Sequence, residues 1–211
     1  RRFKDINAAQ TAQRWKRLDI TPHMRGLEGM RICIIGLGAA GRQIARRLRA
    51  FDVDVIAISR AIQHNSEDAN VSRVYPREAM LDALRESDAM IICTNSDASS
   101  YHMIGAAELA ALKPGGYVIN VARGEIINES ALIAALQSGH LAGAGLDVAG
   151  IEPLPPGNPL WDKPNLIISP HIAGGGAGEG GYIRQKVLFA ENLRRLKAGD
   201  ALLNQVDISA R

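Results

Sequence analysis

The sequence predicts an α/β fold, a doubly wound parallel sheet with helices on both faces. Two observations lead to this prediction. Short apolar runs rich in β-branched residues alternate along the chain with helical patterns, which is typical of repeated strand–helix–strand units. These runs also lack the regular polar alternation of a strand with one face in water, as expected when helices cover both faces of the sheet.

Six strands are predicted, and each is a short apolar run: 31–35, 53–58, 89–93, 116–121, 141–148 and 165–169. Helices are predicted between them at 41–50, 77–86, 105–112 and 129–138. Pro76 lies near the first turn of the second helix, where its fixed backbone is tolerated. Asn128 is a suitable N-cap for the fourth helix, and Gly139 follows the end of that helix.

Two terminal segments fall outside this alternation. Residues 5–18 predict a helix ahead of the first strand, and residues 182–198 predict a long amphipathic helix that ends at Gly199. A terminal helix with an apolar stripe needs a surface to cover that stripe. We therefore expect both helices to be stubs of a second domain, or to pack on a partner subunit.

Composition excludes several classes of function. The 211 residues are 46% hydrophobic and 22% charged, with a net charge of +3, as in ordinary globular proteins. The densest basic group occupies one predicted helix and is interpreted as a solvated face; it consists of Arg42, Arg46, Arg47 and Arg49. Aromatic residues make up only 4%, so the chain lacks the stacking surface of single-strand binders, and no nucleic-acid partner is expected.

The two cysteines, Cys33 and Cys93, each lie in an apolar run and are interpreted as small buried hydrophobic residues. We find no metal-ligand spacing, no disulfide framework, no membrane-length apolar run and no secretory leader. The chain begins at Arg1 rather than Met, so we expect a piece of a longer protein. The prediction is a reduced, soluble, cytoplasmic protein without a metal or a membrane partner.

Residues 36–41, GLGAAG, follow the first predicted strand and open the next helix. This is the context in which the Rossmann-type dinucleotide-binding motif occurs. Gly36 would permit the tight turn, Gly38 would let the backbone approach a pyrophosphate, and Gly41 would let the helix pack on the strand. The alternative is a purely structural turn between strand and helix.

The end of the second predicted strand lacks the acid that usually binds the ribose 2′-hydroxyl of NAD. Ser59 occupies that place and Arg60 follows. Serine removes the anion that would repel a 2′-phosphate, and a guanidinium can bind one. The sequence therefore favours NADP over NAD, with NAD still possible. Alternatively, Arg60 points into solvent.

Residues 119–174, from INVARGE through GLDVAGIEP to SPHIAG, resemble the D-isomer specific 2-hydroxyacid dehydrogenase family in its NAD(P)-binding domain. The resemblance extends back through GLGAAG and forward to ENLRRLKAGDALLNQV, and so covers essentially the whole chain. Within that family, the sequence is similar in particular to glyoxylate and hydroxypyruvate reductases. It implies an oxidoreductase that transfers a hydride between NADP(H) and a small 2-oxo or 2-hydroxy acid such as glyoxylate or hydroxypyruvate.

In that family an arginine, a glutamate and a histidine form the catalytic group, and they map onto Arg123, Glu152 and His171. A guanidinium suits the carboxylate and carbonyl of a 2-oxo acid, while an imidazolium can protonate the forming alkoxide. Glu152 would orient the ring and favour its charged form. Each residue taken singly could instead be structural, but each follows a predicted strand, at the edge where ligands bind in such sheets.

The resemblance also implies a set of cofactor-binding residues. Asp147 matches the aspartate near the nicotinamide carboxamide, although it could also cap a turn at the strand end. Besides Arg123 and His171, the remaining positions are Ala39 and Ala40 at the pyrophosphate and Thr94, Ser99, Val121, Ala122 and Gly174 on the nicotinamide side. Two segments depart from the family pattern: TNSDASS at 94–100 replaces a proline-bearing loop, and the glycine-rich stretch 174–182 is interpreted as a mobile connection.

The resemblance divides the chain into the end of an interdomain helix with its linker (1–22), a dinucleotide-binding domain (23–175), and a return segment to the substrate domain (176–211). By this resemblance the N-terminal substrate domain is expected to be missing from this chain, and the fragment alone is expected to be inactive. Homodimerisation is expected by analogy, with helix 105–112 and the first segment as candidate contacts. Two alternatives remain: a dinucleotide-sensing, corepressor-like binding module, and a structural domain that has lost its cofactor.

Overall fold

The computed structural model describes residues 2–60, 68–174 and 179–205. Its centre is a sheet of seven parallel strands in the order β3-β2-β1-β4-β5-β6-β7. The strands are β1 Arg31–Ile35, β2 Asp54–Ile58, β3 Arg73–Tyr75, β4 Ala89–Ile92, β5 Gly116–Asn120, β6 Leu141–Leu146 and β7 Leu166–Ile168. The predicted doubly wound α/β fold is confirmed, and the strand order reverses direction between β1 and β4.

Seven α-helices are described: α1 Phe3–Thr11, α2 Arg17–Ile20, α3 Ala39–Arg49, α4 Met80–Arg85, α5 Ala106–Ala111, α6 Glu129–Gln137 and α7 Glu179–Ala198. Short 3-10 turns occupy Thr21–His23, Arg77–Ala79 and Gly124–Ile126. The predicted caps of α6 are confirmed. The Asn128 side chain accepts a hydrogen bond from the Ala131 amide at 3.0 Å, and Gly139 has a φ of 76° just beyond the helix.

Both faces of the strands β1, β2 and β4 are buried. Successive residues of a strand point to opposite faces, and in β1 neither Ile34 nor Ile35 is more than 2% exposed. Ile34 belongs to an apolar cluster with Val55 and Ala45, while Ile35 belongs to a second cluster with Met90 and Leu84. The two clusters lie on opposite sides of the sheet, which explains why these central strands are mainly apolar.

Two predictions about the elements are wrong. The predicted single helix 5–18 is two helices, α1 and α2, because the chain turns between them with Gln13 in a left-handed conformation at φ 53°. The strand β3 was not predicted because it has only three residues, and one of them is the exposed Arg73, whose guanidinium lies 4.4 Å from the centre of the Tyr75 ring. Strand β1 has the predicted bounds, and the other elements differ from prediction by at most three residues at either end.

The cysteines are free thiols. Cys33 is fully buried as expected, whereas Cys93 is only half-buried, and burial raises the pKa of the Cys93 thiol to about 12. Within residues 2–60, 68–174 and 179–205, no helix is both long and apolar enough to cross a membrane. The expected boundary at 175/176, residues 175–178 of the glycine-rich stretch, and residues 206–211 of the expected return segment lie outside the described residues.

Candidate active site

A cleft of about 500 Å³ lies over the carboxyl ends of β1, β2 and β4, where the strand order reverses. Ligands bind at this position in open α/β sheets. Seven of the residues expected to bind cofactor line the cleft: Gly36, Gly38, Ala39, Ser59, Arg60, Thr94 and Ser99. The other expected residues lie outside its lining as the structure describes it: Ala40, Gly41, Val121, Ala122, Arg123, Asp147, His171 and Gly174.

The three glycines of the first loop meet different constraints. Gly36 has a φ of 101°, and a Cβ there would lie 2.7 Å from the Thr94 Cα atom. A Cβ on Gly41 would lie 2.1 Å from the Gly36 carbonyl oxygen, so this glycine lets α3 pack on the turn. Gly38 precedes α3 as its N-cap, and no heavy atom lies within 4 Å of its Cβ position. The chain's own packing therefore explains Gly36 and Gly41, while Gly38 leaves room for a ligand.

The β2 side of the cleft carries charge. Ser59 is 8% exposed and its amide donates to the Tyr75 carbonyl at 3.1 Å. Arg60 forms an ion pair with Asp97 at 2.8 Å, and Arg77 donates to the Ser99 hydroxyl at 2.8 Å. Arg77 and Asp97 were not among the expected site residues. The interpretation of the basic group on α3 as a solvated face is also wrong for Arg42, which lines the cleft and pairs with Asp68 at 2.6 Å.

Glu152 and His171 form a close pair. The His171 Nδ1 atom lies 2.6 Å from Glu152 Oε2, and the Ala149 amide donates to Glu152 Oε1 at 3.0 Å. The hydrogen bond with His171, the Ala149 amide and the positive charge of Arg123 lower the pKa of Glu152. The structure thus brings Glu152 and His171 into direct contact, and Arg123 contributes only a smaller electrostatic effect on Glu152. The carboxylate fixes one ring nitrogen of His171, and the ring is half-exposed.

The backbone at His171 is held in a sparsely populated conformation. Its φ is 55°, and its amide donates to the carbonyls of Asp147, at 2.8 Å, and Ser169, at 3.0 Å. A non-glycine residue in the left-handed region costs roughly 1 kcal/mol, so the surroundings must impose it. His171 follows Pro170 directly, and its backbone conformation sets the point from which the imidazole side chain extends.

Asp147 holds the turn that carries His171. Its carboxylate is 6% exposed and accepts hydrogen bonds from the Ser169 hydroxyl (2.5 Å), the Ile172 amide (3.0 Å) and the Ala173 amide (2.9 Å). Burial raises the pKa of Asp147, but these hydrogen bonds outweigh it and the pKa lies below its usual value. Asp147 therefore acts on the site through the backbone of the histidine turn.

Two supporting residues were missed. Asn120 is fully buried at the end of β5; its Oδ1 accepts from the Ala122 amide at 3.0 Å and its Nδ2 donates to the Arg123 carbonyl at 2.9 Å. A Cβ on Gly124 would lie 1.9 Å from the Ala149 carbonyl carbon, so the arginine loop touches the glutamate loop. An asparagine at the end of an apolar strand could have identified Asn120, but no local signal identifies Gly124.

The comparisons with known proteins agree with this geometry. The family model for the D-isomer specific 2-hydroxyacid dehydrogenase, NAD binding domain, matches residues 1–173. The chain is 34% identical over 205 residues to a glyoxylate reductase of Thermococcus gammatolerans, covering 95% of this chain and 60% of that protein. It is 33% identical over 208 residues to glyoxylate/hydroxypyruvate reductase A of Serratia proteamaculans, covering 99% and 63%.

Solved structures give the same result. A D-isomer specific 2-hydroxyacid dehydrogenase from Xanthobacter autotrophicus Py2, in complex with NADPH and MES, superposes with a TM-score of 0.81 at 35% identity, over 99% of this chain and 63% of that one. An NADPH-dependent glyoxylate/hydroxypyruvate reductase from Sinorhizobium meliloti, in complex with NADP and sulfate, gives 0.82 at 26% identity, over 97% and 63%. The chain spans about 60% of the length of the curated relatives it matches.

Proposed function

Because this chain belongs to the D-isomer specific 2-hydroxyacid dehydrogenase family, whose NAD-binding domain it matches over residues 1–173, we propose that it is the cofactor domain of a 2-oxoacid reductase. The protein would use NADP(H) to reduce a small 2-oxo acid such as glyoxylate or hydroxypyruvate. The observation that carries this proposal is the Glu152–His171 pair at 2.6 Å, and the positive charge of Arg123 also lowers the pKa of Glu152.

The proposed mechanism assigns one task to each of these side chains. Bound NADPH supplies a hydride to the carbonyl carbon of the substrate. Arg123 holds the substrate carboxylate and polarises the carbonyl, as a permanently charged guanidinium can. His171, as imidazolium, gives a proton to the forming alkoxide, and in the reverse direction the neutral ring accepts it. Glu152 orients the ring and stabilises its positive charge through Nδ1.

The open side of Gly38 and the N-terminus of α3 fit a dinucleotide pyrophosphate, because the helix supplies amide donors and a favourable dipole there. We propose that the cleft residues hold the adenosine and pyrophosphate, and that the residues following β5, β6 and β7 meet the nicotinamide. The preference for NADP over NAD rests on Ser59 and Arg60. NADPH and NADP in the two solved relatives support this preference.

We further propose that residues 1–22 and 176–211 belong to a second, substrate-binding domain, with 23–175 forming the cofactor domain. Trp15 and Leu18 near one end are 95% and 83% exposed, and Phe189 near the other end is also exposed, so these segments offer apolar surface to a second domain. A cytoplasmic homodimer is part of the same proposal. The free, fully buried Cys33 is compatible with a reducing compartment.

The relatives named above are called reductases and dehydrogenases, which gives no support to the binding-module alternative or to a domain that has lost its cofactor.

The test is to titrate this chain with NADPH and NADH in parallel, following cofactor fluorescence, and then to assay oxo acids with the longer protein. We expect tighter binding of NADPH, and turnover that His171→Asn abolishes while NADPH still binds. Failure of both cofactors to bind would refute the proposal.

A further inference from the structure

Asp97 is an unexpected residue in a cleft that would bind a phosphate-rich cofactor. Among the cleft-lining residues that the structure describes, it is the only acid, against the three cations Arg42, Arg60 and Arg77. It lies in the loop after β4, and its carboxylate faces Arg60, which follows β2. The ion pair between Asp97 and Arg60 therefore joins two sides of the cleft.

The two carboxylate oxygens of Asp97 have separate partners. Oδ1 accepts from the Ser99 amide (2.9 Å), the Ser99 hydroxyl (2.6 Å) and the Ser100 amide (3.1 Å), and so holds the loop in shape. Oδ2 pairs with the Arg60 guanidinium at 2.8 Å. The loop is also held by Arg77, which donates to the Ser99 hydroxyl and carbonyl. Releasing Arg60 from Oδ2 would therefore leave the loop intact.

We propose that Asp97 is a specificity-determining residue, an internal counter-ion that the 2′-phosphate of NADP must displace from Arg60. This inference rests on the proposed function, in which Arg60 binds that phosphate. A phosphate monoester carries up to two negative charges and offers several acceptor oxygens, so it competes well for a guanidinium. NADH has no such group and gains nothing from the displacement. Asp97 thus reduces the preference for NADPH that Arg60 creates.

The structure provides a selective variant, Asp97→Asn. The amide keeps an oxygen in place of Oδ1 for the loop and replaces Oδ2 by an NH2 group, which cannot accept from Arg60. Because the pair is largely exposed, the effect should be modest. We expect Asp97→Asn to tighten NADPH binding roughly twofold to fivefold, and to leave NADH binding nearly unchanged.

The experiment is a double-mutant cycle on this chain at low, constant ionic strength. NADPH and NADH are titrated into wild type, Asp97→Asn, Arg60→Gln and the double variant. If Asp97 acts through Arg60, the gain in NADPH affinity disappears in the Arg60→Gln background. Asp82→Asn is the matched control, because Asp82 is an exposed acid paired with Arg85 on α4, away from the cleft, and its removal changes the net charge equally.

Different outcomes separate the inference from the proposed function. If Arg60→Gln weakens NADPH binding but Asp97→Asn leaves it unchanged or weaker, Arg60 binds the phosphate and the counter-ion role of Asp97 is refuted. If Asp97→Asn weakens NADH binding, Asp97 is a ligand of the ribose and the inference also fails. If Arg60→Gln leaves the ratio of the two affinities unchanged, the proposed role of Arg60 fails and the inference with it. Should Asp97→Asn lose its thermal unfolding transition, Asp97→Ser offers a hydroxyl for the same loop.

Discussion

Asn120 shows how one buried side chain can set the direction of another. Its amide group bonds to the Ala122 amide and the Arg123 carbonyl, so the backbone leaves β5 in a fixed turn. The Arg123 guanidinium donates to the Ala122 carbonyl within this turn at 2.6 Å. The position of Arg123, the proposed substrate-binding cation, therefore depends on Asn120, to which no catalytic or binding role is assigned.

Replacing Asn120 by alanine should lower the free energy of unfolding by about 1–3 kcal/mol, because the buried Ala122 amide and the Arg123 carbonyl lose their partner. Urea unfolding of this chain measures the change. Asn7→Ala, at an exposed position of α1, is the control and should stay within about 0.5 kcal/mol of wild type. An equal effect of the two substitutions would contradict the assigned role.

The lowered pKa of Asp147 predicts how the free energy of unfolding depends on pH. Its pKa is lower in the folded chain than the unfolded value of about 3.9, because the hydrogen bonds from Ser169, Ala173 and Ile172 outweigh burial. Since the folded pKa is the lower one, the stabilisation is fully present above the unfolded pKa and is lost as pH falls through the folded pKa.

Asp147→Asn should therefore cost about 1–3 kcal/mol at pH 7, and this difference from wild type should shrink as pH falls below about 4. Chemical unfolding of both chains across that pH range gives the comparison. Asp162→Asn, at an exposed position, controls for the general effect of acid on the fold. A difference that stays constant down to the lowest pH would rule out the ionised form as the source of the stabilisation.

At the scale of elements, the site depends on the close contact between the loops that follow β5 and β6. Gly124 lies in the first loop, and the backbone of Ala149 and Gly150 in the second leaves no room for a Cβ atom. The same second loop donates the Ala149 amide to Glu152. The distance between the arginine loop and the Glu152–His171 pair is therefore set by the absence of one methyl group.

Gly124→Ala should separate these loops, because its Cβ would lie 2.1 Å or less from the Ala149 carbonyl group. We expect a loss of about 1–3 kcal/mol in the free energy of unfolding. In the longer protein, we also expect a fall in turnover that exceeds the fall in NADPH affinity. Gly26→Ala is the control, since no atom lies within 4 Å of its Cβ position and its φ is not positive. Unchanged turnover in Gly124→Ala would show that the loop spacing is not critical.

At the scale of the whole molecule, the strands β1, β2 and β4 are covered on both faces, while the terminal helices leave apolar side chains exposed. Trp15, between α1 and α2, is 95% exposed, and Phe189 and Leu196 on α7 are 66% and 65% exposed. We expect these exposed apolar side chains to be contacted by a second domain. The proposed second domain would use these helices as its first and last parts.

We therefore expect residues 3–20 to exchange amide hydrogens severalfold more slowly in the longer protein than in this chain, because a second domain would cover them. Hydrogen exchange measured by mass spectrometry resolves the peptides. Peptides from β1 and β4 serve as the internal control, since their core is already buried here. Equal exchange of residues 3–20 in the two proteins would argue against the proposed division into domains.

The sheet could be predicted because the residues that indicate its strands and helix ends lie within those elements or next to them. Strands such as β1 and β4 are buried on both faces and must be apolar throughout, and the caps of α6 are encoded by Asn128 and Gly139. Strand β3 could not be predicted, since its pairing with β2 gives three residues an extended form that their own sequence does not require. The break between α1 and α2 was missed for a related reason, because no glycine or proline marks the turn at Gln13.

The sequence by itself determined the fold class, the position of the glycine loop and, through the family resemblance, the identity of the three residues of the proposed catalytic group. Only the tertiary structure decided how these residues are held. Asn120, Gly124 and Asp97 act through contacts with residues that are close in the fold, and the contacts of Gly124 and Asp97 with Ala149 and Arg60 cross between strands. Such contacts depend on the parallel strands ending at one edge of the sheet, and no local pattern in the sequence encodes their distances.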